Sequence, residues 1–313
     1  MTPRAATVVR MENAVRCLGA LAVAAAAFAI HALVLEEDRV SDQRGAKVFT
    51  VGFDSEAVDG RPLTKVVVPV DAPAKDRPLL IFLHGRGEND RSYLTETLFA
   101  ALDRVGPRAP IVAFPEGGEA SYWHDREQGE WASYVEDEVL PRVIRRFEID
   151  PERVAIGGIS MGGYGAYNIA RLSPGRFCAV GGHSPALWLS ESDSAPGAFD
   201  NADDFQRNNV IAAAEDEPSP YANTRLWLDV GDEDPFAPAI DELAAALDAG
   251  PDAKLNYKTR PGAHDNEYWD RHFYGYLRFY AEALHDCRQP DETPEDPIES
   301  EPPQRPGPVR PAP

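Results

Sequence analysis

The sequence predicts an α/β fold, a mainly parallel sheet with helices packed on both faces, and three observations carry that prediction. Apolar runs of strand length recur at LLIFL (79–83), IVAF (111–114), RVAIGG (153–158), CAVGG (178–182), RLWLDV (225–230) and KLNYKT (254–259), most of them continuously apolar, as expected of strands buried on both faces. Helical periodicities lie between most of them, the order that places parallel strands beneath crossover helices. A glycine-flanked serine, Gly158-Ile159-Ser160-Met161-Gly162, sits where one such strand passes into one such helix.

The elements follow in order. KVFTVGF and TKVVVPV, separated by a turn around Asp59-Gly60, read as an antiparallel hairpin at the sheet edge. A helix is predicted over 131–147, where Trp131, Tyr134, Val135, Val139, Ile144 and Phe147 fall largely at three- and four-residue steps. Pro141 should kink it. A last helix over about 267–284 is rich in Tyr, Phe and Trp, read first as core packing. No internal repeat or second domain is visible, so residues 45–287 are expected to form one domain.

Both ends read differently. Residues 17–35, CLGALAVAAAAFAIHALVL, follow Arg4, Arg10 and Arg16 and precede Glu36, Glu37 and Asp38. As a helix at about 1.5 Å per residue this run would nearly cross a bilayer, and Ala27 and Ala29 also satisfy the A-x-A rule for cleavage. Residues 1–40 are therefore expected to be a signal peptide or a signal anchor, leaving the bulk of the chain secreted, or anchored to the membrane outside the cytoplasm. Residues 288–313, with nine prolines, six acids and no aromatic residue, are expected to be disordered.

The 313 residues carry 31 Lys+Arg against 52 Asp+Glu, a formal charge of -21, which argues against nucleic acid as a partner. Cys17, Cys178 and Cys287 show no zinc-site spacing. A buried free thiol is the favoured reading of Cys178, with pairing to Cys287 the alternative. HExxH, GxxxxGK[ST] and GxGxxG patterns are absent, so neither a metal nor an organic cofactor is implied.

The chemistry concentrates in three places. G-x-S-x-G between a strand and a helix is a nucleophile elbow: the tight turn lifts the Ser160 hydroxyl clear of the sheet, and the Met161 amide faces the place where an oxyanion would form. His84-Gly85-Arg86-Gly87 follows an earlier strand and offers a second amide, that of Arg86, with His84 read as fixing the loop. A serine needs a base, and the base needs a carboxylate, following in the order acid then histidine. Of the seven histidines, His264 in the loop after the last strand fits best. Asp234 is the best-placed acid, with Asp232 the runner-up. Trp123, His124, Trp188 and Trp269 are candidates for a substrate pocket, with core packing the equal alternative.

With these residues in place the chain resembles the alpha/beta-hydrolase superfamily, in the esterase group that includes S-formylglutathione hydrolase, feruloyl esterases and the antigen 85 mycolyltransferases. FLHGRGEND, the stretch from Trp123 through WASYVEDEVLPRVIRRF to GGISMGGYGAYNIA, and PGAHDNEYW carry the resemblance over about residues 65–285. It implies the alpha/beta-hydrolase fold, Ser160 as nucleophile, Asp234 as acid, His264 as base, and the backbone of Arg86 and Met161 as oxyanion hole. It accommodates Pro141, since the helix before the elbow commonly holds such a proline in that family. The expected activity is hydrolysis of a small-molecule, glycan or lipid ester through an acyl-serine. The alternatives are acyl transfer by the same three residues, peptide cleavage on the same fold, or a non-catalytic surface-binding protein.

Overall fold

The computed structural model describes residues 42–73, 75–216, 218–249 and 254–287. The apolar segment 17–35 and the proline-rich end 288–313 lie outside the described residues. Among the described residues no helix is long and apolar enough to cross a membrane.

The six apolar runs form six strands of one sheet. In chain order the elements are β1 (Lys47–Gly52), β2 (Leu63–Val68), β3 (Arg77–Leu83), α1 (Glu96–Val105), β4 (Ile111–Pro115), a small hairpin of β5 (Asp125–Arg126) and β6 (Gly129–Glu130), then α2 (Trp131–Ser133) and α3 (Leu140–Phe147). There follow β7 (Ile149–Ile159), α4 (Met161–Leu172), β8 (Ala179–His183), α5 (Ala202–Arg207), α6 (Val210–Ala214), β9 (Arg225–Gly231), α7 (Ala237–Asp248), β10 (Leu255–Arg260) and α8 (Asn266–Asp286). The eight-stranded sheet runs β1-β2-β4-β3-β7-β8-β9-β10. β1 and β2 are the antiparallel edge hairpin read from the sequence, β2 pairs β4 antiparallel, and every later pairing is parallel.

Strand residues alternate between two cores. Leu79, Ile81 and Leu83 of β3, with Val154 and Ile156 of β7, join the core under α3, α4 and α7. Leu80, Phe82 and Ala155 face the other way, against Leu98, Phe99 and Leu102 of α1 and Phe273, Tyr276, Leu277 and Tyr280 of α8. This two-sided burial is why the central strands are continuously apolar. It also accounts for the aromatic face of α8, which is core.

The predicted helix over 131–147 is helical throughout, but its middle is widened. Tyr134–Val139 forms a π segment, in which the Leu140 amide reaches back five residues to the Val135 carbonyl. The widening sits immediately before Pro141, which has no amide to give a tighter turn. Arg142 donates from its guanidinium to the Glu138 carbonyl at 2.8 Å.

The expectation of a buried free thiol at Cys178 is corrected. Cys178 is only partly buried at the entrance to β8 and is joined in a disulfide to Cys287, at the end of α8, with their Cα atoms 5.9 Å apart. α8 starts near the carboxyl ends of the strands and runs back across the sheet, so its last turn arrives beside the start of β8. A separation of 109 residues hides that meeting from any local pattern.

Candidate active site

The carboxyl ends of β3, β7, β9 and β10 converge, as ligand sites in open parallel sheets do. Ser160 stands between β7 and α4 with φ 54° and ψ −117°, a conformation that costs a non-glycine residue of order 1–3 kcal/mol. Its amide donates to the His183 carbonyl at 3.0 Å, and its carbonyl accepts from Tyr164 and Ala186, so the turn is held from both sides. The two glycines are there for space. A Cβ on Gly158 would lie 2.6 Å from the Leu83 carbonyl oxygen, and one on Gly162 only 2.0 Å from it.

His264 comes to this serine from the loop between β10 and α8. Its Nε2 lies 2.9 Å from Ser160 Oγ, and its Nδ1 lies 2.8 Å from Asp234 Oδ2. The carboxylate fixes the tautomer: Nδ1–H donates to Asp234, which leaves Nε2 to accept from the serine hydroxyl. Asp234 is buried in the turn after β9, and its second oxygen accepts from the Phe236 amide at 2.9 Å. Asp232, the runner-up, is exposed and does something else. Its carboxylate accepts from the Gly262 amide at 3.0 Å, and so anchors the loop that carries His264. The rings of Phe236 and Trp269 stand edge-on to the imidazole at 4.9 and 5.0 Å and confine it.

The loop after β3 lies against Ser160. His84 is buried and fixes this loop, as read from the sequence: its Nδ1 donates to the Gly85 carbonyl and its Nε2 accepts from the Gly117 amide. Burial pushes its pKa down, so the neutral form that both bonds require is favoured. Glu88, which the sequence reading did not single out, accepts from the Gly85 amide at 2.7 Å and from the Tyr93 hydroxyl at 2.6 Å. Gly85 is thus tied away from the site. Among the described residues no acceptor takes the Arg86 or Met161 amide.

The four aromatic and histidine candidates divide into two pairs. Trp188 is half-buried and bridges Tyr122 and Phe236 at 5.6 and 5.5 Å, and Trp269 touches His264, so both stand at the site. Trp123 and His124 do not line it: both are fully buried. The Trp123 indole donates to the His84 carbonyl, and His124 Nε2 meets Asp204 at 3.0 Å, so they support the loops from below. Tyr122 and Trp123 both have positive φ, 52° and 54°, and both rings are buried in the core, with Tyr122 packed on Trp188.

This geometry can be set beside known proteins. The Esterase family model matches residues 55–280. The chain belongs to the esterase family. A curated relative, Esterase Rv1288 of Mycobacterium tuberculosis, is 27% identical over 141 residues, which are 42% of this chain and 31% of that protein. The chain thus spans about a third of that relative's length. Among solved structures, a ferulic acid esterase superposes with a TM-score of 0.68 at 24% identity, covering 76% of this chain and 98% of that one. An S-formylglutathione hydrolase from Agrobacterium tumefaciens superposes with a TM-score of 0.65 at 20% identity, covering 77% and 96%. The fold is that of the alpha/beta-hydrolase esterases.

Beneath the site the chain carries a second histidine–aspartate pair. His183 Nδ1 lies 2.8 Å from Asp229 Oδ1, both side chains are fully buried, and His183 Nε2 meets the Tyr280 hydroxyl at 3.0 Å. Asp229 also accepts from Trp227, Tyr268, Tyr276 and Arg260. Burial alone would raise its pKa, but these donors outweigh it and hold the carboxyl below the ordinary aspartate range. Burial pushes the His183 pKa down. The hub joins β8, β9, β10 and α8 under the turns that carry Ser160, Asp234 and His264.

Proposed function

We propose that this chain is a carboxylic ester hydrolase that works through an acyl-serine, with Ser160, His264 and Asp234 as its triad. The observation that carries this reading is the unbroken line Asp234–His264–Ser160, with links of 2.8 and 2.9 Å, ending at a strained serine. His264 Nε2 takes the hydroxyl proton as Ser160 Oγ attacks the ester carbonyl. Asp234 stabilises the imidazolium so formed. The Arg86 and Met161 amides donate to the oxyanion, an arrangement in which loss of one donor typically costs about 100- to 1,000-fold in rate. His264 returns the proton to the departing alcohol. Water then gives a proton to the same nitrogen, attacks the acyl carbon and releases the acid, and Ser160 recovers its hydrogen.

Turnover of 4-nitrophenyl acetate by the wild type and by Ser160→Ala tests this. The expected result is a fall in kcat of about 10^4-fold or more in the variant. Equal turnover by the two proteins would refute it. Running the reaction with added alcohol acceptors separates hydrolysis from transfer, since a hydrolase releases mainly free acid.

We also propose that the enzyme works outside the cytoplasm. The Cys178–Cys287 disulfide supports this, because such bonds persist in oxidising compartments. The apolar leader at 17–35 supports it independently. Protein recovered from its native cells should resist alkylation at Cys178 and Cys287 until reduced, and free thiols at both positions would count against export.

A further inference from the structure

We propose that the ester this site prefers carries an anionic group, bound by the Arg86 guanidinium, a proposal that rests on the esterase reading above and narrows it. Arg86 directly follows Gly85, which abuts the serine so closely that a Cβ there would lie 3.6 Å from Ser160 Cβ. The amide of Arg86 serves the carbonyl oxygen, and its side chain leaves the same residue as an exposed cation. Any charge it binds therefore lies within one arginine length of the reacting carbon.

What singles this arginine out is the absence of a counter-charge. Arg126 is spent on Asp200 and Arg260 on Asp229, whereas among the described residues no carboxylate stands within ion-pair distance of Arg86. Of the nearby acids, Glu88 is committed to the Gly85 amide and Tyr93, and Glu116 to the amides of Gly118 and Asp90. Glu119, whose carbonyl accepts from the Gly87 amide, is exposed, and its carboxylate forms no ion pair with Arg86. Burial raises the pKa of the Tyr122 phenol, and the neighbouring Arg86 guanidinium opposes that rise. A phenol can orient a guanidinium but cannot neutralise it.

Tyr122 is itself immobilised, 3% exposed and packed on Trp188 and Tyr164. Arg86 thus neighbours an aromatic wall that continues to Leu189, which is 56% exposed. A carboxylate on Arg86 with an apolar body over Trp188 and Leu189 fits these surfaces. In a chain of net charge -21, general electrostatics repel anionic substrates. An uncompensated cation at the serine reverses that locally.

The test uses two matched ester pairs. One places a carboxylate on the acyl chain, mono-4-nitrophenyl glutarate against 4-nitrophenyl pentanoate. The other places it on the alcohol, 4-acetoxybenzoate against its methyl ester. The readout is the ratio of kcat/KM, anionic over neutral, taken within each protein after subtraction of uncatalysed hydrolysis, so that damage to the oxyanion amide cancels. In at least one pair the ratio should fall about tenfold or more from wild type to Arg86→Gln, with Arg86→Lys between them, and should also fall in wild type as salt is raised.

A ratio that stays the same in Arg86→Gln for both pairs overturns the proposal. Should that variant not fold, a wild-type ratio indifferent to salt overturns it instead. Failure of the wild type to hydrolyse either neutral ester would be a different result, against the esterase reading itself.

Discussion

The two histidine–aspartate pairs at and beneath the site have the same first bond and opposite surroundings. In each, Nδ1 lies 2.8 Å from the carboxylate. His264 has a fifth of its side chain exposed, and its Nε2 faces a serine hydroxyl on a strained turn. His183 has none exposed, and its Nε2 faces a phenol locked between helix and sheet. The aspartates differ as sharply: Asp234 serves its histidine and one amide, whereas Asp229 takes five side-chain donors. A histidine–aspartate pair is therefore no signature of catalysis. The third partner and access to solvent decide what it does.

If that contrast is right, the same change in each pair breaks different things. His264→Ala should lower kcat by about 10^4-fold or more while leaving thermal stability nearly unchanged. His183→Ala removes one of the five donors to the buried Asp229 carboxylate, leaves the Tyr280 hydroxyl without that partner and opens a cavity, and should cost about 2–5 kcal/mol of stability in urea melts. Its folded fraction should still turn over far faster than His264→Ala. A large stability loss in the first, or a dead but stable second, would erase the distinction.

The aspartates sharpen the comparison at single-atom level. Asp234→Asn should drop kcat by about 10^4-fold, because an amide no longer holds the imidazole in the required tautomer. Asp232→Asn should cost little in the same assay, since an Asn side-chain oxygen still accepts from Gly262. The disulfide lies at the opposite end of the sheet from Ser160. Reduction should lower stability by about 2–4 kcal/mol, seen as an earlier melting transition, without altering kcat of the folded protein.

The smallest effect is a pH slope. His183 has its pKa lowered from 6.5 in the folded state, so below that pH the unfolded chain binds a proton that the native protein does not. The stability this histidine contributes is complete above 6.5 and falls with pH below it, at about 1.4 kcal/mol per pH unit until the folded value is reached. His84 and His124, also buried and lowered, act in the same direction. Urea melts between pH 7 and 5 should show a shallower slope in His183→Gln than in wild type, and an unchanged slope would remove His183 from the account.

How much of this was legible depended on how local each signal was. The five central apolar runs read as strands because burial on both faces leaves a mark within a few residues, whereas KLNYKT is the edge strand β10 and is only partly buried. Ser160 was legible because an elbow needs glycines beside the serine itself. His264 followed from elimination among seven histidines, and Asp234 from its place after a strand. Contacts between distant segments left no such mark. The meeting of Cys178 with Cys287 depends on where α8 ends, and the burial of Trp123 and His124 depends on what packs over them. Glu88 was visible in HGRGEND, but an acid in an acidic chain reads as surface until the Gly85 amide is seen to need it. Asp229 lies within the strand RLWLDV, and its five donors come from four separate elements, so nothing near it in the sequence marks it.

Activation by His264 should make Ser160 the one residue that a fluorophosphonate labels. Intact-mass analysis after treatment with a fluorophosphonate, followed by peptide mapping, reads it most directly. One adduct should form, on Ser160, with none in Ser160→Ala and far slower formation in His264→Ala. A wild type that stays unmodified, or an adduct on any other residue, would rule out Ser160 as the activated nucleophile.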